Sequence, residues 1–475
     1  MTPLAMDVPW WGVLPFVTML ICIAVLPLVP ATEHLWERNS VKLAVGLLLG
    51  VPVAIWQCAT GPEGTLAVLH ALVEYGQFIA LLLALFVVAG GIHLAGDLVA
   101  SPRTNTGLLA VGGMLASFVG TTGAAMLLIR PLLRTNAERR HRVHTVVFFI
   151  FIVANSGGLL TPLGDPPLFL GMLRGVPFAW TFTLFQEWLF VNLLLLIGYY
   201  ALDVQRYANQ DRDGSRLTRV KSEPLQVHGS INIVFLAMVV AAIAFLPSID
   251  LHTLAEGQAA WSDWVPWREL VFVLAAVLSL RLSNRRARYQ GNGFAWRPIV
   301  EVAALFVGIF LTMVPAMQFV AGAAPGLPLN GVTIFIFTGG LSAMLDNAPT
   351  YATFFELAKA LGEGHPAEGL VAGVPADLLT AISLGAVLGG ALTYIGNGPN
   401  FMVKAVAEHS GVAMPSFGGY LGWAFAHLVP VLIALVCIFL SGHWSAMLAG
   451  WAIVAALLAR AGLTIRSVGA ERTID

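Results

Sequence analysis

Two acidic side chains stand inside long apolar stretches of this 475-residue chain. Asp165 lies in Thr161-Pro162-Leu163-Gly164-Asp165-Pro166-Pro167. Asp346 lies in Leu345-Asp346-Asn347-Ala348-Pro349-Thr350. An ionisable group at membrane depth costs at least ~2.5 kcal/mol on insertion scales, so it is kept there for a pairing or binding task. A carboxylate in such a place can take a sodium ion and a proton in competition. Each acid also has a plainer use. Asp346 precedes a helix start (Asn347-Ala348-Pro349), and Asp165 precedes Pro166-Pro167, so either could be an N-cap. Capping and ion binding can coexist.

Neutral oxygens cluster around both acids. Asn155, Ser156, Thr161 and Gly164 accompany Asp165; Asn347 and Thr350 accompany Asp346. A second set comprises Thr393, Gly396, Asn397 and Asn400, and a third is the pair Thr121 and Thr122. Singly, such residues often satisfy nearby backbone groups; as symmetric clusters they suit ion or substrate binding. Freed carbonyls suit sodium, and freed N–H groups at a half-helix start suit an anion. Sodium and proton are therefore the expected coupling ions, with Asp346 and Asp165 as the candidate sodium ligands and no other cofactor. The chain carries no GxxxxGK[ST] loop, nucleophile elbow or zinc spacing, so an enzyme or an ATP-driven pump is not expected. Cys22, Cys58 and Cys437 all lie in apolar runs and read as small buried hydrophobes, forming neither a disulfide nor a zinc site.

The elements that hold these residues are membrane spans. Apolar residues make up 58% and charged residues 11%, and mean hydropathy is +0.81. A soluble domain carries roughly 25% charged residues. Stretches long enough to cross, at ~20 apolar residues each, are 10–30, 41–59, 72–96, 144–174, 184–204, 230–248, 268–283, 299–320, 376–407, 420–441 and 443–461. The first has Asp7 before it and no basic leader, and reads as a retained span. Two others, 105–133 and 331–361, are interrupted at Gly120-Thr121-Thr122-Gly123 and at Asp346-Asn347-Ala348-Pro349, so each reads as a re-entrant hairpin. With the N-terminus outside and both hairpins returning to their own side, 22 of the 25 Lys and Arg fall inside; Arg174, Arg268 and Lys359 are the exceptions. That agrees with the positive-inside bias and puts the C-terminus in the cytoplasm.

The chain repeats itself. Gly157 to Leu170 aligns with Gly389 to Met402, with seven of fourteen positions identical at an offset of 232. Hairpins and spans pair at similar offsets, and Arg174 and Lys404 become symmetry mates. Five crossings are odd, so the second copy is expected upside down. The fold expected is an all-α polytopic membrane protein of two inverted repeats, 8–205 and 228–441. A cytoplasmic linker (206–229) joins them, and an extra span and tail (443–475) follow. Gly and Pro unwind the spans 144–174 and 376–407 at mid-membrane. Glu74 and Glu301 read as interfacial caps or snorkelling groups. His93 reads as a satisfied helix histidine, with a proton relay as the alternative. Trp10, Trp11, Trp36, Trp261, Trp264 and Trp267 read as an interfacial belt.

These motifs resemble the ion transporter superfamily. Asp346-Asn347-Ala348-Pro349 resembles its Asp-Asn-x-Pro hairpin tip. Asn155-Ser156-Gly157-Gly158 followed by Thr161-Pro162-Leu163-Gly164-Asp165 resembles the NhaD-type branch. The chain is most similar to a bacterial subgroup labelled both sodium/proton antiporter and citrate transporter. The resemblance implies a homodimeric scaffold, a transport domain moving as a rigid body, and a bacterial inner membrane. One departure matters: NhaD-type antiporters carry an acid in the first hairpin tip, and Gly120-Thr121-Thr122-Gly123 has none. Sodium/proton exchange through Asp346 and Asp165 is the first expectation. Sodium- or proton-coupled carriage of citrate or another carboxylate is the second, although no arginine stands at either tip to clamp a tricarboxylate. The expected partners are membrane lipid, a second copy of the chain and a small ion or carboxylate, with no nucleic acid.

Overall fold

The structure is a computed structural model and describes residues 8–96, 98–212, 226–249, 251, 264–323, 329–362 and 369–472. It is an all-α polytopic membrane protein. Among the described residues, seven helical stretches are long and apolar enough to cross a bilayer by length and composition. Trp261 and much of the linker 206–229 lie outside the described residues.

The expected first span is broken. Helix α1 (Leu14–Val25) gives way to a 3-10 turn (Leu26–Leu28) and then α2 (Pro30–Trp36). Pro27 and Pro30 remove the N–H groups that a continuous helix would need. α3 (Asn39–Ala59) follows as expected. α4 (Pro62–Gly90) begins ten residues before the expected 72, because Gly61 turns the chain at φ 125° and Pro62 suits a first helical position. α4 also stops short of 96. Strand β1 (His93–Ala95) follows and pairs with β2 (Gln226–His228).

The first hairpin is α5 (Pro102–Val119) and α6 (Thr121–Thr135), joined by Gly120 alone at φ 80°. Ser101 caps α5 by accepting from the Thr104 N–H at 3.1 Å. The arms have 18 and 15 residues, ~27 and ~22 Å at 1.5 Å per residue, short of the ~30 Å hydrocarbon layer. Next come α7 (Val143–Ile152), a break, and α8 (Pro166–Leu173), then α9 (Phe185–Arg212). The second half runs α10 (Ile231–Phe245), α11 (Trp267–Leu282) and α12 (Arg297–Ala323). The second hairpin is α13 (Gly331–Met344) and α14 (Asn347–Gly362), followed by α15 (Ala376–Gly389), a break and α16 (Gly398–His409). Helix α17 (Phe417–Leu440) carries two π-type turns, and α18 (Trp444–Arg472) runs past the expected end at 461.

Packing pairs off between the halves. α3 lies along α12, and α11 lies along α4. α6 meets α4 as α14 meets α12, and α6 meets α16 as α14 meets α8. Burial fixes the centre: 94% of the 143–160 stretch is buried inside the protein, against 17% of the final helix. The final helix instead exposes Trp444, Leu448, Trp451 and Leu463, as a lipid-facing helix must. Trp10, Trp11 and Trp264 are exposed like belt residues, but Trp36 is buried and so leaves the expected belt. Cys58 is exposed, not buried as expected; Cys22 and Cys437 are half-buried, and all three are free thiols.

Candidate functional site

Both long helices break where Gly and Pro interrupt them. α7 gives way to a 3-10 turn (Ser156–Leu160), and the chain is then extended at Thr161 before α8. α15 passes through a 3-10 turn (Gly390–Leu392) and is extended at Thr393 before α16. The two breaks are built alike. The Thr161 hydroxyl donates to the Ser117 carbonyl of the first hairpin, and Thr393 donates to the Ala343 carbonyl of the second at 2.5 Å. Each hydroxyl also accepts from the N–H two residues on, Leu163 and Ile395, both at 3.2 Å. These threonines therefore shape the breaks. Glycines permit the fit: a Cβ on Gly157 would stand 2.5 Å from the Gly113 carbonyl oxygen, and one on Gly389 would stand 2.4 Å from that of Gly339. Real Cβ atoms do not approach so closely, so each hairpin can lie on its broken helix only where the backbone is bare.

Everything at the centre converges on Asp165, which is 1% exposed. Thr121, at the first tip, donates its hydroxyl to Oδ1 at 3.0 Å. Asn347, at the second tip, donates its amide to Oδ2 at 2.5 Å. Asn397, in the second break, donates to Oδ1 at 3.3 Å. The Thr121 N–H also bonds the Gly164 carbonyl at 2.8 Å. The capping reading of Asp165 fails, because its side chain makes no cap bond to α8. One carboxylate, itself in the first break, thus gathers groups from both hairpins and the second break.

Asp346 differs. It is partly exposed, accepts from the Ala348 N–H at 3.3 Å and so caps α14, while lying within electrostatic range of Asp165. Thr350 donates to the Asp346 carbonyl at 3.1 Å, an intrahelical role. Asn155 holds the centre from below: its amide bonds Asn400 Oδ1 at 2.7 Å, and its oxygen accepts from Asn397 at 3.1 Å. Asn400 in turn donates to the Gly390 and Thr393 carbonyls at 2.8 and 2.9 Å. Ser156 turns outward to Asn192 of α9 at 2.8 Å, and Gly396 packs against the Ser342 carbonyl. Thr122 is half-buried and stands outside this bonded set. The Asn347 Oδ1 is buried without a hydrogen-bond partner. Such an orphan costs ~1–3 kcal/mol, and together with the two acids it is an oxygen donor suited to a hard cation.

Four half-helices start here: α6 at Thr121, α8 at Pro166, α14 at Asn347 and α16 at Gly398. Each start is the positive end of a helix dipole, roughly half a charge, although Pro166 and Pro167 bring no N–H and the Thr121 and Ala348 N–H groups are already bonded. No lysine or arginine belongs to the bonded set.

Several polar residues were legible only as scattered charges. Asp203 of α9, fully buried, binds Arg139 at 2.6 Å, His144 at 2.7 Å and Asn105 at 3.1 Å. Asn105 pairs with Asn136 at 2.8 Å, so this cluster ties both ends of the first hairpin to α7 and α9. The signal available was a lone acid in an apolar run together with Arg139 before α7. Glu74 and Glu301 are not simple snorkelling groups: Arg174 binds Glu74 at 3.1 Å, and Lys42 binds Glu301. His93 lies on β1, not on a helix, and bonds Asn292 at 2.9 Å. Burial lowers its imidazole below the ordinary value, and Arg134 and Arg130 of α6 lower it further.

A family model described as "Putative citrate transport" matches residues 5–440. Uncharacterized transporters of Mycobacterium bovis and Mycobacterium tuberculosis are each 25% identical over 352 residues, covering 70% of this chain and 75% of theirs.

Proposed function

Because the chain belongs to the family described as putative citrate transport, we propose that this secondary transporter couples a cation to the movement of a small carboxylate of the citrate class. The observation that carries this reading is the convergence of Thr121, Asn347 and Asn397 on buried Asp165. A group joined to both tips and both breaks feels any rearrangement of the two halves. Asp165 and Asp346 are the proposed acceptors of a sodium ion or a proton, with Asn347 Oδ1 as a neutral ligand. The four helix starts give the site a positive field that two carboxylates only partly use, and that field suits a carboxylate cargo.

Sodium/proton exchange through the same acids is the second reading. The absence of any cationic side chain from the bonded set favours it. In either case the two halves act as inverted repeats meeting at mid-bilayer, in a bacterial inner membrane, with the C-terminus inside and two copies associated through a scaffold. The test uses proteoliposomes containing an internal pH dye, with sodium, lithium, potassium and citrate added separately. Citrate uptake that needs a sodium or proton gradient supports the carrier. If sodium or lithium alone dissipates a proton gradient and citrate has no effect, the protein is an exchanger.

A further inference from the structure

The packing of the two halves is not symmetric everywhere. α8 packs against α4, yet its counterpart, α16 on α12, is not a packed pair. Ion pairs follow the same division. At the end of α8, Arg174 binds Glu74 of α4 at 3.1 Å and Glu356 of α14 at 3.6 Å, with its guanidinium 5.9 Å from the Phe355 ring centroid. The Arg174 side chain is 6% exposed. One cation therefore clasps the second hairpin and the first broken helix to α4.

The corresponding groups in the other half are parted. Lys404 of α16 turns to Glu408 of its own helix at 2.8 Å, and Glu301 of α12 is held by Lys42 of α3. An i,i+4 pair with 23% and 42% exposed side chains is worth only ~0.3–0.5 kcal/mol, so Lys404 is readily released. Glu301 is 37% exposed and can accept a second cation.

We infer that Arg174 and Lys404 are alternating positioning residues of the transport cycle. The Arg174–Glu74–Glu356 clasp closes one end in this structure. In the opposite-facing state that clasp opens, and Lys404 leaves Glu408 for Glu301. The inference rests on the transporter reading but not on the cargo. A solid inverted-repeat machine exchanges the contacts of its halves when it reverses, and a charge pair that changes partner gives each end state its own stabilisation.

The test is distance measurement between spin labels in the full chain, reconstituted with Cys22, Cys58 and Cys437 replaced by Ala. One sample carries Leu72→Cys with Pro177→Cys, and the other Val300→Cys with Phe401→Cys, all exposed positions beside the ion-pairing side chains, which stay in place. The expected result is two populations in each sample, with cation and citrate shifting them in opposite senses. In samples labelled instead at Thr333→Cys and Phe319→Cys, Arg174→Ala should move the ratio toward the opposite state by about five- to ten-fold. Lys404→Ala should move it the other way, and Arg174→Lys should restore it. A purely structural arginine would lower protein yield without moving the ratio. A 300–401 distance that stays single and long under all conditions, in protein that transports, overturns the inference. Because the distances report motion whatever is carried, two exchanging populations without citrate uptake would sink the cargo reading and leave the clasp standing.

Discussion

Asp165 and Asp346 are both carboxylates inside apolar sequence, and their surroundings separate them. Asp346 keeps a cap bond and some exposure, whereas Asp165 is buried and held by three side chains from three other segments. A hydrogen bond to a charged group is worth ~1.5–3 kcal/mol, which corresponds to about 10- to 150-fold in binding. Asp165→Asn keeps the shape but presents an amide to donors. Cation-coupled uptake should fall by at least about ten-fold, with protein that still elutes as a single peak in detergent. Uptake equal to the wild type would remove Asp165 from the mechanism. Asn347→Ala removes both a donor to Asp165 and the orphan oxygen. Cation affinity, read as the sodium or proton dependence of uptake, should drop about 10- to 100-fold, as for supporting groups around a bound metal.

At the level of helices, the site depends on bare backbone. Gly157→Ala places a methyl 2.5 Å from the Gly113 carbonyl oxygen. Overpacking of this kind costs ~1–3 kcal/mol, so the melting temperature in detergent should fall and uptake with it. Gly76 of α4 has nothing within 4 Å of a built Cβ. Gly76→Ala should leave melting unchanged or raise it slightly, since Ala favours a helix by ~0.5–1 kcal/mol. The Asp203 cluster makes a second demand. Asp203→Asn leaves Arg139 buried without its counter-charge, a loss of ~3–5 kcal/mol when one partner of a buried pair is removed. Loosening of the first hairpin should appear as faster proteolysis of the 136–142 segment, whereas a stable, protease-resistant variant would show that the cluster does not hold the hairpin.

For the whole molecule, the charge bias predicts a sidedness. Cysteines introduced singly at Ser441 and Ser410, in a chain lacking its native cysteines, should react with an impermeant reagent from opposite faces. Ser441 should label from outside intact cells and Ser410 only after permeabilisation. Labelling of both from one face would mean that α17 does not cross. The all-α membrane class was legible from composition, and the two hairpins and two breaks from Gly and Pro within apolar runs. Gly120 and Asp346 do mark the tips. Boundaries were less legible. Pro27 and Pro30 split the first span, and Gly61-Pro62 started α4 early, because local backbone rules overrode a continuous apolar signal.

Candidate residues were legible from type and spacing, as acids beside Gly and Pro inside apolar runs. Their unequal duties were not. Nothing in the spacing distinguishes Thr161, which bonds a carbonyl, from Thr121, which bonds a carboxylate. Asp165 gains its central place from Asn347, 182 residues away, and from Asn397, 232 residues away. Hydropathy and periodicity are local quantities, so they assign elements and their approximate termini. Which donor meets which acceptor depends on how helices far apart in the chain pack, and only the folded arrangement decides it.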